Sequence, residues 1–436
     1  MITEQWGVAE LDVSGTPGAT AIFELDGRQR FVDSFPLQDR EMVRFSPDSQ
    51  GDWSYRVLDG EGREVNRGTM PCVPPGPDNH GPVVITDELR FSHADGTPYT
   101  PIGTVLRWWH RQHRAMRAAT LAELAEAPFT KIRMDVPAGG ASTPPTPGEL
   151  DQLEAAVTAL GALGLQAELV IFTAGLIGDH DFAWERYLRG LVARFAAFRN
   201  VSWCLAVDPD RWDPATGWTE QFADDALRLL AEADHGNRLR TIQAGPDYDF
   251  GRGLITQCSL HHDQPRLCST LTGRYRKPVL LDGIGMEGDA DRAEDSRSAE
   301  DLVADIWEAV CRGGFAGHGE CYDNRWSEVG GALKGAAAPR LGLLRSIIDQ
   351  APAGVRYGSA SYDASTLELP GRYYLQYLGA HRFRHRRFDL PTDAGFRVEV
   401  IDTWNLRTEV VAEGVRGEYL LELPDRLYNA VRITRC

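Results

Sequence analysis

Between about residue 100 and residue 320 the chain alternates short apolar runs with longer segments of helical period, and this alternation restricts its fold more than any other feature. The apolar runs cover residues 129–134, 167–172, 201–207, 239–242, 254–260, 278–281 and 314–319. Between them, residues 150–163, 184–198 and 299–310 repeat apolar side chains every three to four positions, as a helix with one buried face does. Near-continuous apolar strands separated by helices belong to a parallel sheet covered by those helices. With residues 100–106 as the first strand the count is eight, and a span of roughly 270 residues suits a (β/α)8 TIM barrel. The expected fold class is therefore α/β, with the barrel over residues 83–350.

The flanks read differently. From Trp6 to Val73, alternating runs at 21–25, 42–45 and 53–57 are separated by Gly, Pro and Asp turns, which predicts a β-sandwich over residues 1–75. Residues 74–82 carry four prolines, which remove backbone donors and fix φ, so this stretch is a linker. Beyond Pro352 alternation returns at 373–375, 396–401 and 419–423, predicting a second β-sandwich over 353–436.

Composition narrows the partners. A chain of 436 residues with 42% hydrophobic and 25% charged residues is a soluble, multidomain protein by its balance. Its net charge of -17 excludes nucleic acid and anionic membrane as expected partners and favours a neutral ligand. The seven scattered cysteines suit reduced core thiols and show no Cys-x-x-Cys zinc spacing, so neither a disulfide framework, a metal nor a cofactor is expected. The first residues enter a strand pattern with no basic and apolar leader, which makes a cytoplasmic protein the expectation and a trimmed chain the alternative.

Three of the barrel strands run into acids. Residues 278–281 lead into Asp282 and, after three intervening loop residues and Met286, Glu287; residues 201–207 lead into Asp208; residues 314–319 lead into Glu320. Parallel barrels react at the C-terminal ends of their strands, so acids collected there point to carboxylate chemistry on a sugar or similar polyol.

Several strings extend this reading: Trp6-Gly7-Val8-Ala9-Glu10-Leu11, Phe45-Ser46-Pro47-Asp48, Gly51-Asp52-Trp53-Ser54-Tyr55, His93-Ala94-Asp95-Gly96-Thr97-Pro98-Tyr99, Lys131-Ile132-Arg133-Met134, Gly317-His318-Gly319-Glu320 and Val400-Ile401-Asp402-Thr403-Trp404-Asn405. In their order they resemble bacterial glycoside-hydrolase-like proteins related to apiosidases, and the likeness spans nearly the whole chain. The resemblance implies the order sandwich, barrel, sandwich and cleavage or transfer of a glycosidic bond in an oligosaccharide or glycoside. Related chains typically end the fourth barrel strand in Asn-Glu, the acid/base, and the seventh in Glu, the nucleophile. Here those positions read Val207-Asp208 and Gly283.

A retaining glycosidase needs a second carboxylate about 5 Å from the first, and glycine supplies none. Asp208 is thus the expected acid, with Glu320 or Glu287 as its partner, Asp282 as a further candidate, and an inverting or unusual mechanism favoured. A carbohydrate-binding pseudoenzyme is the first rival reading. The second is an isomerase or lyase that uses His261, His262 and Asp282 as bases or metal ligands.

Each remaining candidate also has an ordinary structural reading. Arg133 either orients the acids through its planar guanidinium or makes a barrel ion pair. Trp109 and His110, after Trp108, either meet the sugar or pack the core. One of His261 and His262 faces the pocket, because neighbours on a strand point oppositely. His318, beside Glu320, joins the expected substrate contacts, and Trp326 either walls the site or packs beneath it. The basic run 381–388 is a solvated edge by default, or else a surface that meets the acidic barrel or another protomer of a homo-oligomer.

Overall fold

The computed structural model describes residues 2–87, 89–323, 325–358 and 363–436. Eight parallel strands close a barrel: β1 (Gly103–Val105), β2 (Lys131–Asp135), β3 (Gln166–Val170), β4 (Val201–Val207), β5 (Arg240–Ala244), β6 (Cys258–Leu260), β7 (Val279–Leu281) and β8 (Phe315–His318). Closure is made where Gly103 and Thr104 pair with Gly317 and His318. Every residue of β2, β3 and β5 is buried, as expected of strands covered by helices outside and by side chains within.

Local chemistry sets the helix starts. Thr146 and Glu149 form a reciprocal capping box ahead of helix Pro147–Ala162, whose proline needs no donor at that position. Thr219 and Ser298 cap helices Glu220–Ala233 and Ala299–Cys311 in the simpler way, each accepting a backbone N–H through its hydroxyl.

Residues between the linker and the barrel form a feature that was not expected, an antiparallel sheet of Val83–Thr86, Arg90–His93 and Pro98–Tyr99. Its second hairpin turns at Asp95-Gly96, where Gly96 adopts φ +91° and Asp95 accepts the Thr97 N–H. Val83 and Phe91 cluster with Leu280, and Phe91 meets Phe315 edge-on, so the sheet packs on the strand starts and covers the barrel's N-terminal opening.

Before the barrel, a five-stranded and a three-stranded sheet face each other over a core of Phe23, Phe45 and Trp53, the first two stacked at 4.0 Å. Arg44 ties this sandwich to the barrel: its guanidinium donates to Glu10, to Glu154 and to the Arg194 carbonyl. After the barrel, a six-stranded and a two-stranded sheet enclose Phe388, Phe396 and Leu421. The outer face of the larger sheet shares the barrel's core through Leu375, Tyr377 and Ile401, with Tyr377 stacked on Trp307.

All seven cysteines are free and five are buried. Burial pushes the Cys204 thiol up to about 12, which keeps it protonated and unreactive. The basic run finds its carboxylates nearby: Arg382, Arg386 and Arg387 pair with Asp425, Asp363 and Glu418 of the same chain. Among the described residues no helix is long and apolar enough to cross a membrane.

Candidate active site

The barrel interior carries charge where a hydrocarbon core is the norm. Lys131 and Arg133 alternate along β2 and point inward to Glu168 of β3 and to Asp282, which follows β7. Asp282 accepts from Lys131 Nζ at 2.7 Å, Ser259 Oγ at 2.7 Å and Arg133 Nη2 at 3.0 Å, and Arg133 also reaches Gln243. Burial alone raises a carboxyl pKa, but Arg133 and then Lys131 outweigh it and hold Asp282 well below the usual carboxylate range. For Arg133 the sum runs the other way: burial opposes the charge, and Asp282 and Glu168 raise its pKa. Asp282 and Arg133 are thus bound to one another and to their neighbours in a network that forms the floor of the mouth, which both residues line.

Above this network a cavity of about 400 Å³ opens at the C-terminal strand ends, lined among others by Val207, Asp208, Gln243, His261, Gly283, His318 and Glu320. Asp208 is placed by a register shift of β4 against β5 between Cys204 and Val207, and irregularities of this kind re-aim side chains at barrel rims. It adopts left-handed φ 52° and ψ 41° directly before Pro209, a conformation Asp tolerates better than most residues. Its Oδ2 lies 2.5 Å from His261 Nδ1, while its Oδ1 is buried without a hydrogen-bond partner. Both side chains keep partial access to solvent, 18% for Asp208 and 24% for His261.

Gly283 adjoins this pair, and a Cβ there would stand 2.6 Å from both the His261 ring and the Gln243 amide. The space a side chain would need is filled by the partner of Asp208. A larger residue at this position would have to displace the His261 ring and the Gln243 amide.

The other two acids are used differently. Glu287 and Glu320 sit opposite one another on a two-stranded parallel bridge, 1% and 0% exposed. Glu320 accepts the N–H groups of Lys334 and Gly335, and Glu287 those of Ala336 and Ala337 together with the Tyr322 hydroxyl. Four successive amides leading into helix Ala337–Asp349 are thereby satisfied by two carboxylates, the task a side-chain cap performs. Gly335 lets the backbone approach, since a Cβ would fall 2.3 Å from Glu287 Oε2. Burial raises the Glu320 pKa, the two amides pull it back, and the Glu287 charge adds to the rise.

His318 stands beside them. Its Nδ1 lies 3.1 Å from Thr104 Oγ1, which also accepts from Trp326 Nε1, and its buried Nε2 has no partner. Burial lowers the His318 pKa to about 3. Among the described residues, Glu287, His318 and Glu320 form the group whose ligand atoms lie close enough for a metal ion, within 4.8 Å of one another. A cation there would share carboxylates already engaged by backbone amides.

The remaining expected contacts lie elsewhere. Trp109 and His110 are buried in the core, Trp109 against Met134, and His110 with neither ring nitrogen bonded. Trp326 is likewise fully buried beneath the mouth. His261 and His262 both reach open space, but His262 lines an adjoining outer cavity beside Asp263. His261, His262 and Asp282 do not converge on one point in the way a metal or base triad requires.

Sequence reading overlooked Lys131, Glu168 and Gln243, although charged residues at every second position of β2 signalled a polar interior. It also overlooked Arg211, three residues beyond Asp208, and Arg292; for Arg292 no sequence signal existed.

The architecture matches solved structures. That of a candidate glycoside hydrolase from Bacteroides vulgatus ATCC 8482 covers 100% of both chains with a TM-score of 0.88 at 25% identity. A family 5 glycoside hydrolase from the same organism covers 82% of this chain and 94% of its own, with a TM-score of 0.67 at 14% identity, a likeness of fold. Another glycoside hydrolase covers 83% and 98%, with a TM-score of 0.66 at 14% identity. Residues 362–434 match a domain of unknown function, DUF5605. No curated protein matches the sequence.

Proposed function

We propose that this barrel hydrolyses a glycosidic bond, with Asp208 and His261 as the proton-transfer pair and water, not an enzyme carboxylate, as the nucleophile. One observation carries the reading: at the mouth of a glycoside-hydrolase-like barrel, Asp208 pairs with His261 at 2.5 Å and keeps a second oxygen without a partner. In the proposed step the pair gives its proton to the leaving oxygen as the bond to the anomeric carbon breaks. Water attacks that carbon from the opposite face and loses its proton to bulk solvent, from which the pair is reprotonated. Direct attack inverts the anomeric configuration, and it suits a site in which Asp282, Glu287 and Glu320 are engaged by internal donors. The likeness to apiosidase-related proteins remains part of this proposal.

The same saturation supports a second reading, a carbohydrate-binding barrel that no longer cleaves. A panel of aryl glycosides and plant or bacterial oligosaccharides separates the two, with product configuration followed by NMR. Inverted product that Asp208→Asn abolishes supports hydrolysis as proposed. Retained product would show that an enzyme carboxylate attacks, and binding with no product leaves only the second reading.

A further inference from the structure

We infer that the sugar held at this mouth carries an anionic substituent, bound by Arg211 and Arg292, an inference that rests on the glycan-directed reading above. The mouth cavity of about 400 Å³ and the outer cavity of about 550 Å³ share Arg211, His261, Gly283, Gly285 and Arg292, so the two form one continuous cleft. Both arginines stand where the inner cavity passes into the outer one. Arg211 belongs to the turn that begins at Asp208, and Arg292 to the loop after Glu287–Gly288.

Acids such as Asp208, Asp263 and Glu320 also line the cleft, but they do not pair with all of its arginines. Of the arginines that line the inner cavity, Arg133 is held by Glu168 and Asp282, Arg107 lies 3.3 Å from Asp135, and Arg325 lies 2.5 Å from Glu328. Among the described residues no carboxylate comes within ion-pair distance of Arg211 or Arg292. A chain with a net charge of -17 has acids to spare, yet it leaves these two guanidiniums open at the cleft.

The apolar side of sugar recognition is also missing. Among the described residues, no Trp, Tyr or Phe lines either cavity, so no aromatic face is available to stack on a neutral sugar ring. A guanidinium offers the complement of a carboxylate or sulfate, two parallel N–H donors backed by a fixed charge. The neutral ligand expected from overall charge is thus replaced by a charged one, because net charge averages over a surface and the cleft does not follow the average.

The test is calorimetric titration of the full chain with glucuronic and galacturonic acid, with galactose 6-sulfate, and with glucose and galactose. The expected result is at least tenfold tighter binding of a charged sugar than of its neutral counterpart, weakening as salt is raised. Arg211→Ala with Arg292→Ala should abolish that preference at unchanged Tm, and Arg211→Lys with Arg292→Lys should restore part of it. Preference for the uronic acids assigns a carboxylate as the anion, and preference for the sulfated sugar assigns a sulfate ester. Equal affinity for charged and neutral sugars, no binding of any charged sugar, or a preference undiminished in the alanine variant overturns the inference.

Failure here is distinct from failure of the hydrolase reading. Charged-sugar binding without cleavage keeps this inference and removes hydrolysis, whereas faster cleavage of neutral glycosides than of glycuronides does the reverse.

Discussion

Asp208 with His261 and Glu287 with Glu320 are built from similar groups at strand ends around one barrel mouth, but their surroundings give them opposite character. The glutamates are sealed from solvent and saturated by four backbone amides that start a helix. Asp208 is aimed by an irregular strand end, keeps one oxygen unpaired, and contacts an imidazole that is open to the cavity. An acid at the end of a barrel strand is therefore not by itself a reacting group. What separates the two pairs is how many of their lone pairs the fold has already claimed.

The comparison can be broken in several ways. Its largest expected effect is kinetic: Asp208→Asn should lower glycoside cleavage by about 10²- to 10⁴-fold, the usual contribution of a positioned acid/base, with little change in Tm. Cleavage at wild-type rate in that variant would remove Asp208 from the chemistry.

Stability should show the reverse pattern. Glu287→Ala combined with Glu320→Ala strands up to four amides, each worth about 1–3 kcal/mol if left buried and unpaired, and should lower Tm by several degrees in calorimetry. An unchanged Tm would release both acids from the capping role and return them to the list of catalytic candidates.

Gly283→Ala probes the Asp208–His261 side of the comparison alone. Its methyl group would meet His261 and Gln243 at 2.6 Å and should cost about 1–3 kcal/mol while displacing the imidazole from Asp208, so that activity falls more than stability. Denaturant melts and initial rates on the same preparation measure both, and a silent substitution would show that the His261 position is not fixed by packing.

The smallest effect is in the pH profile. Burial lowers His110 and His318 to about 3 from an ordinary value of 6.5, so between those values the unfolded chain binds protons that the folded chain refuses. Stability contributed by the neutral rings is present above about pH 6.5 and is lost progressively as pH falls toward 3. His110→Phe, at a site where neither ring nitrogen is bonded, should flatten part of that slope in melts run from pH 7 to 4. An identical slope would show that His110 is not among the groups responsible.

The barrel was legible because its strands are short apolar runs between helices, a period change that survives in sequence with no knowledge of contacts. The sheet at the strand starts was not identified, although Asp95-Gly96 is a hairpin signal, because its strands are only two to four residues long. Asp208 and His261 could each be named as strand-end candidates, but not as a pair, since 53 residues separate them. Trp109, His110 and Trp326 resembled ligand contacts by composition, and their burial depends on which way each side chain turns after the strand.

By itself the sequence determined that the middle of this chain forms an eight-stranded parallel barrel between β-rich flanks, and that acids and one glycine stand at its strand ends. Those are properties of local pattern, set within a few residues along the chain. Only the tertiary structure decided which acids are occupied and which are open. That division depends on amides at 334–337, a ring at 261 and the cations at 131 and 133, groups distant in sequence whose hydrogen bonds and charges act only across the distances the fold creates.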